Sequence, residues 1–134
     1  MVKGISAVAS AVNAFHTQCP DTKLVLVGYA QGGQIMDNAF CGGPDDTNGY
    51  SDSAPAIDSS AMEAISAVIE MGSPRFVGGL AYGVGTCTTG GFSKRPSGYT
   101  CSVSLYPVLL QSALMLLLLP RQLSISSCRP LLSC

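Results

Sequence analysis

The stretch from Lys23 to Phe40, KLVLVGYAQGGQIMDNAF, places the tightest limits on what this chain can fold into. Leu24, Val25, Leu26 and Val27 follow one another without alternating polar residues, which predicts a strand covered on both faces inside a parallel sheet. Gly28-Tyr29-Ala30-Gln31-Gly32 then interrupts the run, and Ile35, Met36, Ala39 and Phe40 recur at the spacing of one helix face. Strand, glycine-bounded turn and helix in immediate succession predict an α/β protein, with this strand, near Lys23 to Gly28, at the centre of the sheet.

Composition narrows the class. At 134 residues the chain has the size of one domain and can bury a core. Seven basic residues against eight acidic ones form neither a nucleic-acid-binding patch nor an acidic tail, so no nucleic-acid partner is expected. Six cysteines, 15 glycines and only 11% charged residues resemble a compact secreted protein, and six cysteines allow 15 pairings that spacing does not resolve. With no Cys-x-x-Cys pair and a single histidine, His16, no metal site is expected, and no cofactor is implied. The sequence opens directly on a helical pattern of Val2, Ile5, Val8, Val12 and Phe15, without the charged leader, apolar core and cleavage site of a signal peptide. That helix is expected to run to about His16, which then reads as a solvated or capping residue and not as a general base.

Between residues 41 and 101 the pattern is turn-rich. Cys41-Gly42-Gly43-Pro44 stops the preceding helix, and Asp45 to Pro55 reads as a surface loop. Ser60-Ala61-Met62-Glu63 fits a capping box, predicting a short helix over Ser60 to Ser66. Ala67 to Met71 reads as the next buried strand, with the helices before and after the first strand on opposite faces or edges of the sheet. Arg75 to Cys101 reads as a flexible, glycine-rich loop, since no Gly-x-x-x-x-Gly-Lys-Ser/Thr pattern accompanies its glycines.

Taken together, ISAVASAVNAF, QCPDTKLVLVGYAQGGQIMDNAFCGG and MGSPRFVGGLAYGVGTCTTGGFSKRPSGYTC closely resemble the acetylxylan esterases of the cutinase-like serine esterase group. The resemblance runs through loops and cysteines, from about Gly4 to Cys101. It implies a three-layer α/β-hydrolase-like fold with a parallel sheet, and a secreted enzyme that removes acetyl groups from xylan. Gly-x-Ser-x-Gly is the nucleophile elbow of such enzymes, a strained turn that holds one side chain outward between glycines that avoid a steric clash. On this match Ala30 occupies the nucleophile position, the backbone N–H of Gln31 one oxyanion-hole position, and Tyr29 a neighbouring substrate-binding position. Alanine has no lone pair with which to attack an ester carbonyl, so the acyl-enzyme route is closed at its first step and the chain is expected to be catalytically dead.

The family pattern also implies an N-terminal part with the first strands, a second oxyanion donor and the cysteine that pairs with the one matching Cys19. Cys19 is therefore expected to be a free thiol. The acid and the histidine of the family lie beyond the position of Cys101, around Asp-x-x-Asp-Pro and His-Gln-Gly, neither of which follows here. Instead, Ser102 to Cys134 is dominated by Leu and Ser and contains no Gly, Asp, Glu, Asn or His. Two regions are thus expected: 1–101, a partial esterase-like domain incomplete at its N-terminus, and 102–134, a tail without family resemblance, as a shifted reading frame or retained non-coding sequence produces. The tail is expected to pack poorly or to form a Leu-rich helix; its 12-residue run between Pro107 and Pro120 is too short to span a bilayer of about 30 Å. Acetylated polysaccharide or another ester is the partner that the resemblance implies. The alternatives are a cutinase-type polyester hydrolase scaffold and a non-catalytic carbohydrate-binding pseudoesterase; a small membrane-associated protein ranks below both.

Overall fold

A computed structural model describes residues 1–52, 54–80, 83–84, 89–96, 99 and 108–112. The elements follow in the order α1 (Val2–Gln18), β1 (Leu24–Tyr29), α2 (Gln31–Cys41), α3 (Ser59–Ala64), β2 (Ile65–Met71), β3 (Gly83–Val84) and β4 (Val108–Ser112). A single 3₁₀ turn, Asp46–Asn48, interrupts the loop after α2. The strands form one sheet in the order β1-β2-β4-β3, and every pairing is parallel. The protein is therefore α/β, as its opening stretch predicts.

One face of the sheet carries the core. Leu26 and Val68 turn inward, where they meet Ile5, Ala9 and Val12 of α1, Met36, Ala39 and Phe40 of α2, and Ala61 and Met62 of α3. Each of the larger aliphatic or aromatic side chains contributes about 1.5–3 kcal/mol when fully removed from water. On α1 the buried stripe is Ile5, Ala9 and Val12, whereas Val2 and Phe15, placed on it by spacing, are 47% and 38% exposed. The helix also continues two residues past His16 to Gln18.

Several expectations are corrected by the packing. β1 is not covered on both faces: Val25, Val27 and Tyr29 are 37%, 56% and 71% exposed, while Leu26 and Gly28 are buried. It also lies at the edge of the described sheet, so β2 and not β1 has a strand on either side. The helices α1 and α2 do not take opposite faces; Gly4 of α1 lies so close to Ile35 of α2 that a Cβ there would sit 2.8 Å from its Cδ1. The described residues thus build a sheet with helices on one face. α3 is capped at Asp58 without a side-chain cap hydrogen bond, so the Ser60/Glu63 box is not used. The Asp58 N–H instead donates to Asn13 Oδ1 at 3.0 Å, tying the start of α3 to α1. β2 follows α3 directly and begins at Ile65, two residues before the expected Ala67.

The Leu-rich tail is corrected in part. Val108–Ser112 is a strand, not a helix, paired from Ala67↔Val108 to Met71↔Ser112 along the edge of β2 that β1 leaves open. Helix propensity is a weak preference, and an unpaired strand edge offers a row of backbone donors and acceptors to satisfy. The rest of the tail, 102–107 and 113–134, lies outside the described residues. Among the described residues no helix is long and apolar enough to cross a membrane.

Candidate functional site

Ala30 joins the end of β1 to the start of α2 with φ 49° and ψ −120°, and it is the sole non-glycine residue with positive φ among the described residues. A side chain in that region costs about 1–3 kcal/mol and persists only where its surroundings over-determine it. Here they do. The Ala30 N–H donates to Met71 O at 2.8 Å, and Ala30 O accepts from the Gln34 N–H at 3.2 Å, so β2 holds one side of the residue and the first turn of α2 the other. Close approach of strand and helix is permitted by Gly28, where a Cβ would lie 2.8 Å from both Cα and N of Gly33. A Cβ on Gly32, by contrast, would have nothing within 4 Å, so the second crowded glycine of the turn is Gly33, packed against Ser73, and not Gly32.

The three residues singled out by sequence are contiguous at this turn. Tyr29 is exposed on the open face of β1 beside Gly72. Gln31 is the exposed first residue of α2, and its N–H belongs to the first-turn donors that lack an intrahelical acceptor and meet the positive end of the helix dipole. Geometrically, the turn presents a backbone donor next to a side-chain position that carries only a methyl group.

Among the described residues no histidine base is brought to it. His16 lines a cavity of about 480 Å³ together with Pro20, Asp21, Lys23, Ser60, Glu63 and Ala64, at the end of the sheet where β1 begins. The six residues of β1 separate that end from Ala30 by about 20 Å at the usual strand rise of about 3.3 Å per residue. Among the described residues no group of three His, Cys, Asp or Glu side chains is arranged to hold a metal ion.

Two buried carboxylates near α2 serve a different purpose. Asp45, 1% exposed, accepts hydrogen bonds from Gln34 Nε2 (2.8 Å), Asn38 Nδ2 (2.9 Å), Asn48 Nδ2 (2.9 Å) and Ser93 Oγ (2.7 Å). Burial pushes its carboxyl upward, but these four donors outweigh it and hold the group below the ordinary carboxylate range. Asp37 accepts from Arg95 Nε at 3.0 Å and lies 3.5 Å from Arg75 Nε. Burial dominates there and raises its carboxyl, against the pull of both guanidinium groups. Burial and the neighbouring Arg95 lower the Arg75 guanidinium, while Asp37 and Asp45 oppose that shift.

The arginines also clamp backbone carbonyls. Arg75 donates to Ser93 O (3.1 Å) and Pro44 O (3.0 Å), and Arg95 to Gly42 O (2.8 Å) and Asp37 O (3.1 Å) while stacking 5.0 Å over the Tyr99 ring. The segment around Ser93 and Arg95, read from sequence as a flexible loop, is thereby fastened to α2. The sequence does carry a signal for this network, since Gln34, Asp37, Asn38 and Cys41 recur at helical spacing and form a second stripe beside the apolar one. Cys19 and Cys41 are both disulfide-bonded, which overturns the expectation of a free thiol at Cys19; the other four cysteines lie outside the described residues.

The chain is 56% identical over 101 residues to acetylxylan esterase 2 of Talaromyces purpureogenus, a match that covers 75% of this chain and 43% of that protein. It is 55% identical over 100 residues to cutinase 11 of Verticillium dahliae, covering 75% and 34% respectively. A solved acetylxylan esterase structure superposes with a TM-score of 0.72 at 56% identity, over 75% of this chain and 49% of that one. The chain thus spans less than half the length of each of these relatives. The cutinase family model matches residues 1–105, a span that contains α1, the strained turn and its helix, β2 and the arginine-clamped loop, and on that ground the chain belongs to the cutinase family.

Proposed function

We propose that this chain carries the elbow half of an acetylxylan-esterase-type site and that, as this sequence stands, it binds acetyl esters without hydrolysing them. The observation that carries the reading is Ala30 at φ 49°, held in the strained elbow conformation with a methyl group where a serine enzyme needs an oxygen. In the serine reaction a hydroxyl oxygen attacks the ester carbonyl, a base takes its proton, and the carbonyl oxygen becomes an oxyanion that backbone N–H groups stabilise. Gln31 supplies one such N–H. The first event fails at Ala30, and the only histidine of the sequence, His16, belongs to the other end of β1.

The acetylated polysaccharide is preferred to a polyester because two relatives, at 56% and 54% identity, are named acetylxylan esterases, although one named cutinase stands between them at 55%. Secretion, a third layer over the open face of the sheet, and a substrate contact at Tyr29 belong to the same reading. An oxyanion donor and substrate positioning alone give roughly 10³–10⁴-fold over water in a protease stripped of its triad, which sets the ceiling for residual turnover.

The test is an assay on p-nitrophenyl acetate and on acetylated xylan, with the original chain beside Ala30→Ser. Neither protein is expected to exceed an unrelated-protein control by more than that residual factor. Turnover by the original chain at the rate of an intact esterase would overturn the reading. Full activity of Ala30→Ser would place base and acid within these 134 residues and refute the position given to His16.

A further inference from the structure

We propose that Phe92, at the same end of the sheet as Ala30 and carried on a fastened backbone, is a sugar-stacking platform that binds a pyranose unit of the polysaccharide. The inference rests on the preceding reading that the substrate class is an acetylated polysaccharide. Phe92 is 83% exposed, more than any other large hydrophobic residue among the described ones. A single apolar side chain at a surface is ordinary and needs no ligand. What sets this one apart is that its backbone is held in place on both sides.

The preceding residue, Gly91, donates its N–H to Phe76 O at 2.8 Å, and the following residue, Ser93, donates its own to Pro74 O at 3.1 Å. Ser93 is 5% exposed, and its hydroxyl ends on the buried Asp45 while its carbonyl accepts from Arg75. Two residues further, Arg95 is locked to Asp37 and Gly42. A chain segment anchored by buried charged groups on one side and backbone bonds on the other nevertheless holds an aromatic side chain in water, where burial would stabilise the fold.

Pro74 and Phe76 belong to the segment that leaves the C-terminal end of β2, immediately after Met71, whose carbonyl holds the Ala30 N–H. Phe92 therefore stands at the elbow end of the sheet, opposite the end marked by His16. The neighbouring positions Thr89, Gly90 and Lys94 are exposed and small or polar, which leaves the ring face accessible. An aromatic face is electron-rich and suits the row of polarised C–H groups on one side of a pyranose, and with the backbone of Phe92 held in advance only the side-chain torsions remain to be ordered on binding.

The test measures retention of the whole chain on insoluble acetylated xylan and its retardation in gels that contain soluble acetylated xylan. Four proteins are compared, the original chain, Phe92→Ala, Phe92→Trp and, as a control for general stickiness, Phe15→Ala on α1; circular dichroism and thermal unfolding verify that each is folded. The expected result is binding by the original chain, weakening of about 10-fold or more in Phe92→Ala, retention in Phe92→Trp, and no change in Phe15→Ala. Binding by folded Phe92→Ala equal to that of the original chain overturns the platform while leaving the substrate class standing. Absence of binding by the original chain overturns the substrate class and the platform with it. An equal loss in Phe15→Ala shows adsorption through any exposed ring and also overturns the proposal.

Discussion

Replacing Asp45 tests whether the buried polar network, more than the apolar core, fixes the loops around the elbow helix. In Asp45→Ala the carboxylate that accepts from Gln34, Asn38, Asn48 and Ser93 is lost. Asn48 is only half-buried and can turn to water, but Gln34, Asn38 and Ser93 are 2%, 0% and 5% exposed. Each buried donor left without an acceptor costs about 1–3 kcal/mol, and the Ser93 hydroxyl can rotate to recover part of its share. Arg75, 4.0 Å from Asp45, loses one of its two carboxylates and keeps Asp37. Two orphaned amides and a partly orphaned hydroxyl span about 2–9 kcal/mol, and the expected loss is about 3–5 kcal/mol within that span, the range found when one partner of a buried charged pair is removed, against a typical total of about 5–15 kcal/mol. Asp45→Asn keeps the volume and one acceptor oxygen but turns an NH₂ group toward donors, so a smaller loss of about 2–3 kcal/mol is expected. Equilibrium urea unfolding at pH 7, followed by circular dichroism, should rank the proteins as original, Asn, then Ala. A loss below about 1 kcal/mol in Asp45→Ala would refute the assignment of this network as the clamp.

Acidification should reveal the same carboxylate, because its folded value lies below the ordinary 3.8: its contribution is complete above that value and is lost as pH falls through the folded one. Asp37 has a raised folded value and acts in the opposite sense, favouring the native state as pH falls toward it, so the informative quantity is the difference between the original chain and Asp45→Asn; a difference that stays constant from pH 6 to pH 2.5 would contradict the shift assigned to Asp45. Ala30→Gly should stabilise the fold by about 1 kcal/mol in urea unfolding, since relief of a strained positive φ of about 1–3 kcal/mol exceeds the roughly 0.5–1 kcal/mol of added glycine freedom; destabilisation would show that the Ala30 methyl makes contacts worth more than its strain. Gly28→Ala should cost about 1–3 kcal/mol because its Cβ meets the backbone of Gly33 at 2.8 Å, whereas Gly32→Ala, with open space around it, should be neutral or gain up to about 1 kcal/mol; equal thermal stabilities for the two variants would discount the close approach.

By itself the sequence determined the first helix, the strand, turn and helix around Ala30, the strand ending at Met71, and the family. Four consecutive apolar residues, a turn carrying Gly28, and apolar residues at helical spacing are short-range patterns, so β1, α2 and the elbow between them were legible without coordinates. The same holds for the absence of an oxygen at residue 30. Tertiary structure decided which surfaces face each other. Whether Val25 and Val27 are covered depends on what lies across the sheet, and an apolar run reads alike whether one face or both are buried; here one face is open. Residues 108–112 show the same limit in another form, because local helix preference differs by tenths of a kcal/mol per residue whereas an unpaired edge of β2 offers a ladder of hydrogen bonds. The Asp37, Asp45, Arg75 and Arg95 network was equally beyond local reading, since its members are separated by up to 58 residues and only folding brings their charges out of water and into register. Burial then converts four side chains that a sequence presents as ordinary surface charges into the clamp of the elbow helix, because in a low-dielectric interior an unpaired charge is too costly to keep.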